Sequence, residues 1–250
     1  MNSAWRVGLL AWAFWVPLSL RAQTVQVVTE ISPFVIMQDE KIAGPATEVL
    51  EKTLQLAGIK DYRLNLYPWA RAYDMALNEP NVLIYLLART PEREAKFQWV
   101  GELVQNAYYL YKLRDRTNIR ASNLDGARNY TIGVMRDDVR HQYLQQQGFT
   151  RLVISAQTTE NFNQLLNRKV DMVPLSEMGA EVQCRKNHFD CAALERVMTL
   201  DGLPSGLYMA YSLSTPQTVV QRTRAAFKQL KADGTVQRAM EPKPAAIKAP

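Results

Sequence analysis

Val82-Leu83-Ile84-Tyr85-Leu86-Leu87 is an unbroken apolar run. A strand with one wet face alternates polar and apolar side chains, so this run predicts a strand covered on both faces. Helices on each side of a largely parallel sheet supply that cover. The run leads into the loop Arg89-Thr90-Pro91-Glu92-Arg93 and follows the cluster Pro68-Trp69-Ala70-Arg71. A buried strand opening into a loop with two arginines lets a rigid sheet present cations to a small anion. Residues 67–102 therefore read as one lip of a ligand cleft.

The flanking pattern supports an α/β chain. Strands are predicted over 24–29, 62–66, 131–135, 151–155 and 170–175, and extended segments over 97–104, 107–113 and 207–213. Residues 46–59 predict an amphipathic helix with Val49, Leu50, Leu54 and Ala57 inward. Residues 69–78 predict a helix ended by Glu79-Pro80, because the residue before proline leaves the helical region. Asp138 is expected to cap a helix to 147, and Thr158 or Thr159 one over 160–168. Thr215-Pro216 is expected to open a last helix to about residue 232. Phe34, in the turn Ile31-Ser32-Pro33-Phe34, reads as an exposed aromatic, and His141 and His188 as surface residues.

Two βαβ-type runs, 24–104 and 131–175, are thus separated by extended segments. The expected architecture is two lobes, each a mixed sheet flanked by helices, joined by two crossing strands. Residues 23–112 plus 207–240 form lobe one in this reading, and 113–206 form an inserted lobe two. Hinge motion is expected at 107–113 and 207–213, and the proline- and alanine-rich tail 241–250 is expected to be disordered.

Residues 1–22 have a cationic start, an apolar run of about a dozen residues and Ala22 at a cleavage position, which predicts a signal peptide. The run is shorter than the roughly 20 residues of a spanning helix. Without Arg6 and Arg21, the net charge of +6 falls to +4. The remaining basic residues are dispersed, so nucleic-acid binding is not expected. Cys184 and Cys191 are the only cysteines. In an exported chain they are expected to form a disulfide. Two cysteines with His188 lack the fourth ligand of a structural zinc site, so no metal or cofactor is expected.

The order Ile31-Ser32-Pro33-Phe34, Thr90-Pro91-Glu92-Arg93, Asn123-Leu124-Asp125-Gly126 with Ile132-Gly133-Val134, Arg168-Lys169-Val170-Asp171, and Lys231-Ala232-Asp233-Gly234 resembles the polar amino-acid-binding family of type 2 periplasmic solute-binding proteins. Pro68-Trp69-Ala70-Arg71-Ala72 with Arg89-Thr90-Pro91-Glu92-Arg93-Glu94 resembles one subgroup of it. The resemblance implies that Arg93 clamps the ligand carboxylate and that Trp69 stacks on the ligand. Thr90, Arg71, Arg89 and Phe34 fall nearby. The family's carboxylate-holding hydroxyl falls on Ala88, and its amine-binding aspartate on Ser176. Either Glu177 or Glu30 is then left to receive an amine, or the ligand carries none. The helix start at Arg136-Asp137-Asp138 is placed to offer backbone amides to an anion.

The function expected is capture of a small polar carboxylated ligand, an amino acid or a related compound, by a periplasmic or secreted monomer. The partner is an ABC transporter permease or a membrane sensor. A dehydratase-like enzyme on the same fold, of the cyclohexadienyl dehydratase kind, is the rival. It needs a positioned acid in the cleft, and Glu30 and Glu177 are its candidates, without a recognisable catalytic motif.

Overall fold

The computed structural model describes residues 24–241. The expected signal peptide and all but the first residue of the expected tail lie outside the described residues. Lobe one contains β1 (Val25–Thr29), the hairpin β2 (Ile36–Gln38) and β3 (Lys41–Ala43), α1 (Pro45–Leu56), β4 (Tyr62–Leu66), α2 (Trp69–Asn78), β5 (Val82–Ala88), α3 (Pro91–Glu94) and β6 (Phe97–Gln105). Lobe two contains β7 (Tyr109–Leu113), α4 (Leu124–Ala127), β8 (Ile132–Met135), α5 (Val139–Gln146), β9 (Leu152–Ser155), α6 (Thr158–Leu166), β10 (Val173–Leu175), α7 (Glu177–Lys186) and β11 (Leu194–Thr199). The chain then returns to lobe one through β12 (Gly206–Ser212), α8 (Gln217–Ala232) and α9 (Thr235–Met240).

The apolar run becomes the central strand of a sheet ordered β4-β1-β5-β12-β6. Strand β1 runs parallel to β4 and β5, while β12 is antiparallel to β5 and β6. Side chains on both faces of β5 are buried, as its composition requires. Its regularity breaks near the cleft. Leu87 pairs with Tyr208 and Tyr85 with Met209, so Leu86 is an extra residue, and its φ is +63°. A left-handed leucine costs on the order of 1–3 kcal/mol, and this bulge is not visible in the apolar pattern.

Two glycines set close approaches in lobe one. Gly44 (φ +111°) precedes α1, and a Cβ there would lie 2.6 Å from the Phe34 carbonyl oxygen. A Cβ at Gly101 would lie 2.3 Å from the Phe227 ring, so this glycine lets α8 settle on β6. Phe34 itself is buried rather than exposed, because it belongs to the core cluster that also holds Ala46, Val49 and Leu50 of α1.

In lobe two, β8 and β9 are parallel, and the Gly133 N–H donates to the Met172 carbonyl, linking them to the segment before β10. Strands β10-β7-β11 form an antiparallel sheet. Pro174 lies on its edge strand, where a missing N–H is tolerated. Both partners of β7 lie in this second sheet and β12 lies in the first, so the chain passes between the two sheets at 106–108 and 200–205. There the Asn106 N–H donates to the Ser205 carbonyl at 2.6 Å, and the Leu200 N–H to the Tyr108 carbonyl at 2.9 Å. Cys184 of α7 is bonded to Cys191. Among the described residues, no helix is long and apolar enough to cross a membrane.

Candidate functional site

A cleft of about 370 Å³ lies between the lobes, within the range of small-molecule sites. Lobe one contributes the residues just beyond the carboxyl end of β1, the carboxyl half of β5 with Arg93, and the segment from the end of β4 into α2. Lobe two contributes the starts of α5 and α6 and one side of α7. Strand ends are where open α/β sheets bind ligands. Of the residues chosen from sequence, Glu30, Phe34, Trp69, Arg93 and Ser176 line the cleft, and Arg71, Arg89, Thr90 and Arg136 do not.

Arg93 is 1% exposed. Its Nη1 donates to the Ala88 carbonyl at 3.2 Å, and its Nη2 to the Asp137 carbonyl at 3.3 Å and to Gln142 Oε1 at 3.1 Å. Its guanidinium lies 4.8 Å from the Tyr73 ring centroid and 5.7 Å from that of Trp69. The buried Nε–H has no hydrogen-bond partner among the described residues. The Trp69 indole N–H donates to the same Asp137 carbonyl at 2.9 Å. Two lobe-one side chains thus grip one lobe-two carbonyl. Asp137 adopts φ +57°, and its N–H donates to His141 Nδ1. This contact explains why His141, expected on the surface, is only 5% exposed. Burial also holds its pKa below the ordinary imidazole value.

The other arginines of the opening stretch are used elsewhere. Arg89 forms a two-pronged ion pair with Glu94 and lies over the Trp99 and Tyr208 rings. Arg71 is exposed, 4.3 Å over the Tyr67 ring. Thr90 is buried at the start of α3, and Arg136 is exposed.

Lobe two meets the cleft with a self-contained ion pair. Asp138 caps α5 by accepting from the Arg140 N–H, as its sequence position predicts. Its carboxylate also accepts from Arg140 Nε. Arg140 Nη1 donates to the Pro174 carbonyl at 3.0 Å, and the guanidinium lies 5.4 Å from the Tyr108 ring centroid. Burial works against the charge on Arg140, but Asp138 beside it wins and raises the pKa. The helix start offered to an anion therefore already holds a carboxylate. Sequence reasoning missed both Arg140 and Tyr108. The one available signal was an arginine two residues after a capping aspartate.

Ser176 caps α7, its hydroxyl accepting from the Gly179 N–H at 3.0 Å. Glu177 points away, its side chain 72% exposed and paired with Arg196. Of the two acids considered for an amine, only Glu30 reaches the cleft. Burial, reinforced by Asp138 and only partly offset by Arg140, pushes the Glu30 carboxyl up to about 8. Among the described residues, no group of three metal-ligating side chains forms.

No protein-family model matches the chain, and no curated protein matches its sequence. Solved structures do match its fold. One is a histidine kinase sensor domain with similarity to periplasmic binding proteins, at 16% identity and TM-score 0.76 over 87% of this chain and 94% of that one. A second is the arginine-, lysine-, histidine-binding protein ArtJ of Geobacillus stearothermophilus, at 18% identity and TM-score 0.74 over 89% and 97%. A third is a periplasmic His/Glu/Gln/Arg/opine family-binding protein from Silicibacter pomeroyi in complex with lysine, at 18% identity and TM-score 0.71 over 87% and 95%. With these alignments spanning nearly the whole described chain, the architecture is the two-lobed type 2 periplasmic-binding-protein fold.

Proposed function

We propose that the chain is an exported solute-binding protein that captures a small polar carboxylated ligand, an amino acid or a related compound, between its lobes. The observation that carries this reading is Arg93. A deeply buried arginine on the cleft wall retains an Nε–H without an acceptor, and buried donors are normally satisfied. A ligand carboxylate supplies the missing acceptor in the planar geometry an arginine favours. Glu30 then receives the ligand's cationic group in place of the aspartate replaced by Ser176. Trp69 contributes to the wall, and its indole N–H ties the lobes together.

The neighbours in fold include proteins whose names give amino-acid ligands and one sensor domain. Delivery to an ABC transporter permease and reporting to a membrane sensor both fit this monomeric reading. The sensor neighbour is the observation that favours the second. Mass spectrometry of small molecules that co-purify, followed by a thermal-shift panel of amino acids and plain carboxylates, tests the reading. A ligand at 100 times its Kd should stabilise the fold by about 2.7 kcal/mol. A panel in which no carboxylate raises the melting temperature rejects it. Turnover of a bound compound replaces it with the dehydratase-like enzyme, for which Glu30 is the positioned acid.

A further inference from the structure

The cleft runs on past the groups already described. Gly179, Val182, Gln183 and Lys186 of α7 all line it. Their spacing places them on one face of the helix. At 1.5 Å per residue, that face carries the cleft about 10 Å from Gly179 to Lys186. The start of α6 meets its far end, where Gln157, Thr158 and Thr159 line it and Lys186 Nζ donates to Thr159 Oγ1 at 3.2 Å. A single amino acid held at Arg93 does not fill such a length, since about 10 Å matches three extended residues.

The polar atoms along this face are unevenly served. Gln183 is 8% exposed, and its Oε1 is buried without a hydrogen-bond partner among the described residues. A buried acceptor of this kind calls for a donor. At the start of α6 the need is the reverse. The Thr158 and Thr159 N–H groups open the helix and so have no intrahelical acceptor, and the cap residue Gln157 supplies no side-chain bond. Glu160, the acid of that turn, accepts from the Ala156 N–H at 2.9 Å. Lys186 forms no ion pair at salt-bridge distance among the described residues, so donors remain on its ammonium. An unpartnered acceptor thus lies one helical turn from a lysine and a helix start that both seek acceptors.

We propose that this stretch is a distal subsite for a peptide unit, whose N–H donates to Gln183 Oε1 and whose carbonyl oxygen accepts from Lys186 and the α6 amides. An amide carries a donor and an acceptor on the same carbonyl carbon, which matches the two needs. A carboxylate only accepts, and it would set its lone pairs against Gln183 Oε1. An ammonium would meet the charge on Lys186. The inference rests on the ligand-capture reading above. It extends the ligand from a single amino acid to a short peptide, with the carboxylate at Arg93 and the far amide between α6 and α7.

The test is titration calorimetry with L-alanine, L-alanyl-L-alanine, trialanine and L-alanyl-L-lactyl-L-alanine. In the last probe the amide farther from the carboxylate is an ester and has lost its N–H. Trialanine should bind at least about tenfold tighter than alanine, and about tenfold tighter than the ester, the scale of one hydrogen bond. Gln183→Leu, which keeps the side-chain bulk, should bring trialanine down to the level of the ester and leave the ester unchanged. Lys186→Ala, at an exposed position, should weaken trialanine and the ester by a similar factor and leave alanine unchanged. The ester comparison and Lys186→Ala stand even where Gln183→Leu fails to fold. Alanine bound as tightly as trialanine, or a folded Gln183→Leu protein that weakens trialanine and the ester equally, overturns this inference and leaves the function reading standing. A carboxylate of the thermal-shift panel that binds where no peptide does has the same consequence. Failure of every probe and of the whole panel overturns both.

Discussion

Arg93 on the lobe-one wall is held by two carbonyls and an amide oxygen, without a carboxylate partner at salt-bridge distance among the described residues. Arg140, facing the same cleft from lobe two, is tied to Asp138 two residues before it. The lobe-one charge was desolvated by tertiary packing, and it keeps a donor to satisfy. The lobe-two charge is neutralised within one helical turn. A wall with an unsatisfied cation is suited to discriminate among anions, since leaving a buried donor unmade is costly. A wall whose charges are paired locally is suited to hold shape, and it sets the field that Glu30 feels.

Removing Arg93 should break this contrast most severely. Arg93→Ala is expected to weaken carboxylate binding by at least about 100-fold, in the range seen when one partner of a buried charged pair is truncated. Calorimetry with the best probe measures it, and wild-type affinity would show that the clamp lies elsewhere. Arg93→Lys keeps the charge but loses the planar fork, so it should recover only part of the loss.

Asp138→Asn sharpens the comparison from the other wall. Asparagine still caps a helix, so the change isolates the ion pair and leaves Arg140 without its countercharge. A loss of about 2 kcal/mol in denaturant unfolding is expected, below the full cost of breaking a buried pair because both side chains keep some solvent contact. The Glu30 carboxyl should at the same time titrate at lower pH, since a like charge is removed and a cation freed. An unchanged titration would show that Asp138 does not act on Glu30.

Trp69→Phe removes one of the two donors to the Asp137 carbonyl and keeps most of the ring packing against Tyr73. We expect about 1 kcal/mol less stabilisation of the closed arrangement, read as a several-fold weaker affinity and a larger radius of gyration in X-ray scattering. Arg89→Ala should do least. Its pair with Glu94 is surface-exposed, so a change within about 0.5 kcal/mol in stability and none in ligand affinity is expected.

Much of the frame was legible because it is written in local patterns. Residues 69–78 form a helix with the expected bounds, and the apolar run 82–87 lies at the centre of its sheet. Asp138 caps α5, and Cys184 meets Cys191 across a short stretch of chain. The elements missed have weak local signals. Helix α7 carries Gly179 in its first turn and few apolar residues, and the hairpin β2–β3 exposes Ile36 and Met37. Thr215-Pro216 opens α8 as expected, with Pro216 at the cap position and the Thr215 hydroxyl paired with Ser212. Leu86 looks regular in a run of apolar letters, because a bulge is imposed by the register of the partner strand.

The sequence by itself determined the α/β class, the buried central strand, the helix cap at Asp138 and the presence of a cationic loop after β5. Each depends on residues within a turn or two of one another, where spacing alone dictates geometry. Only the tertiary structure decided which arginine enters the cleft, that Arg93 and Trp69 share one carbonyl, and that Glu30 instead of Glu177 lines the cleft. The Arg93–Asp137 and Trp69–Asp137 contacts span 44 and 68 residues and cross between lobes. Charge, desolvation and hydrogen bonding at such places depend on what the other lobe brings, and no local pattern encodes it.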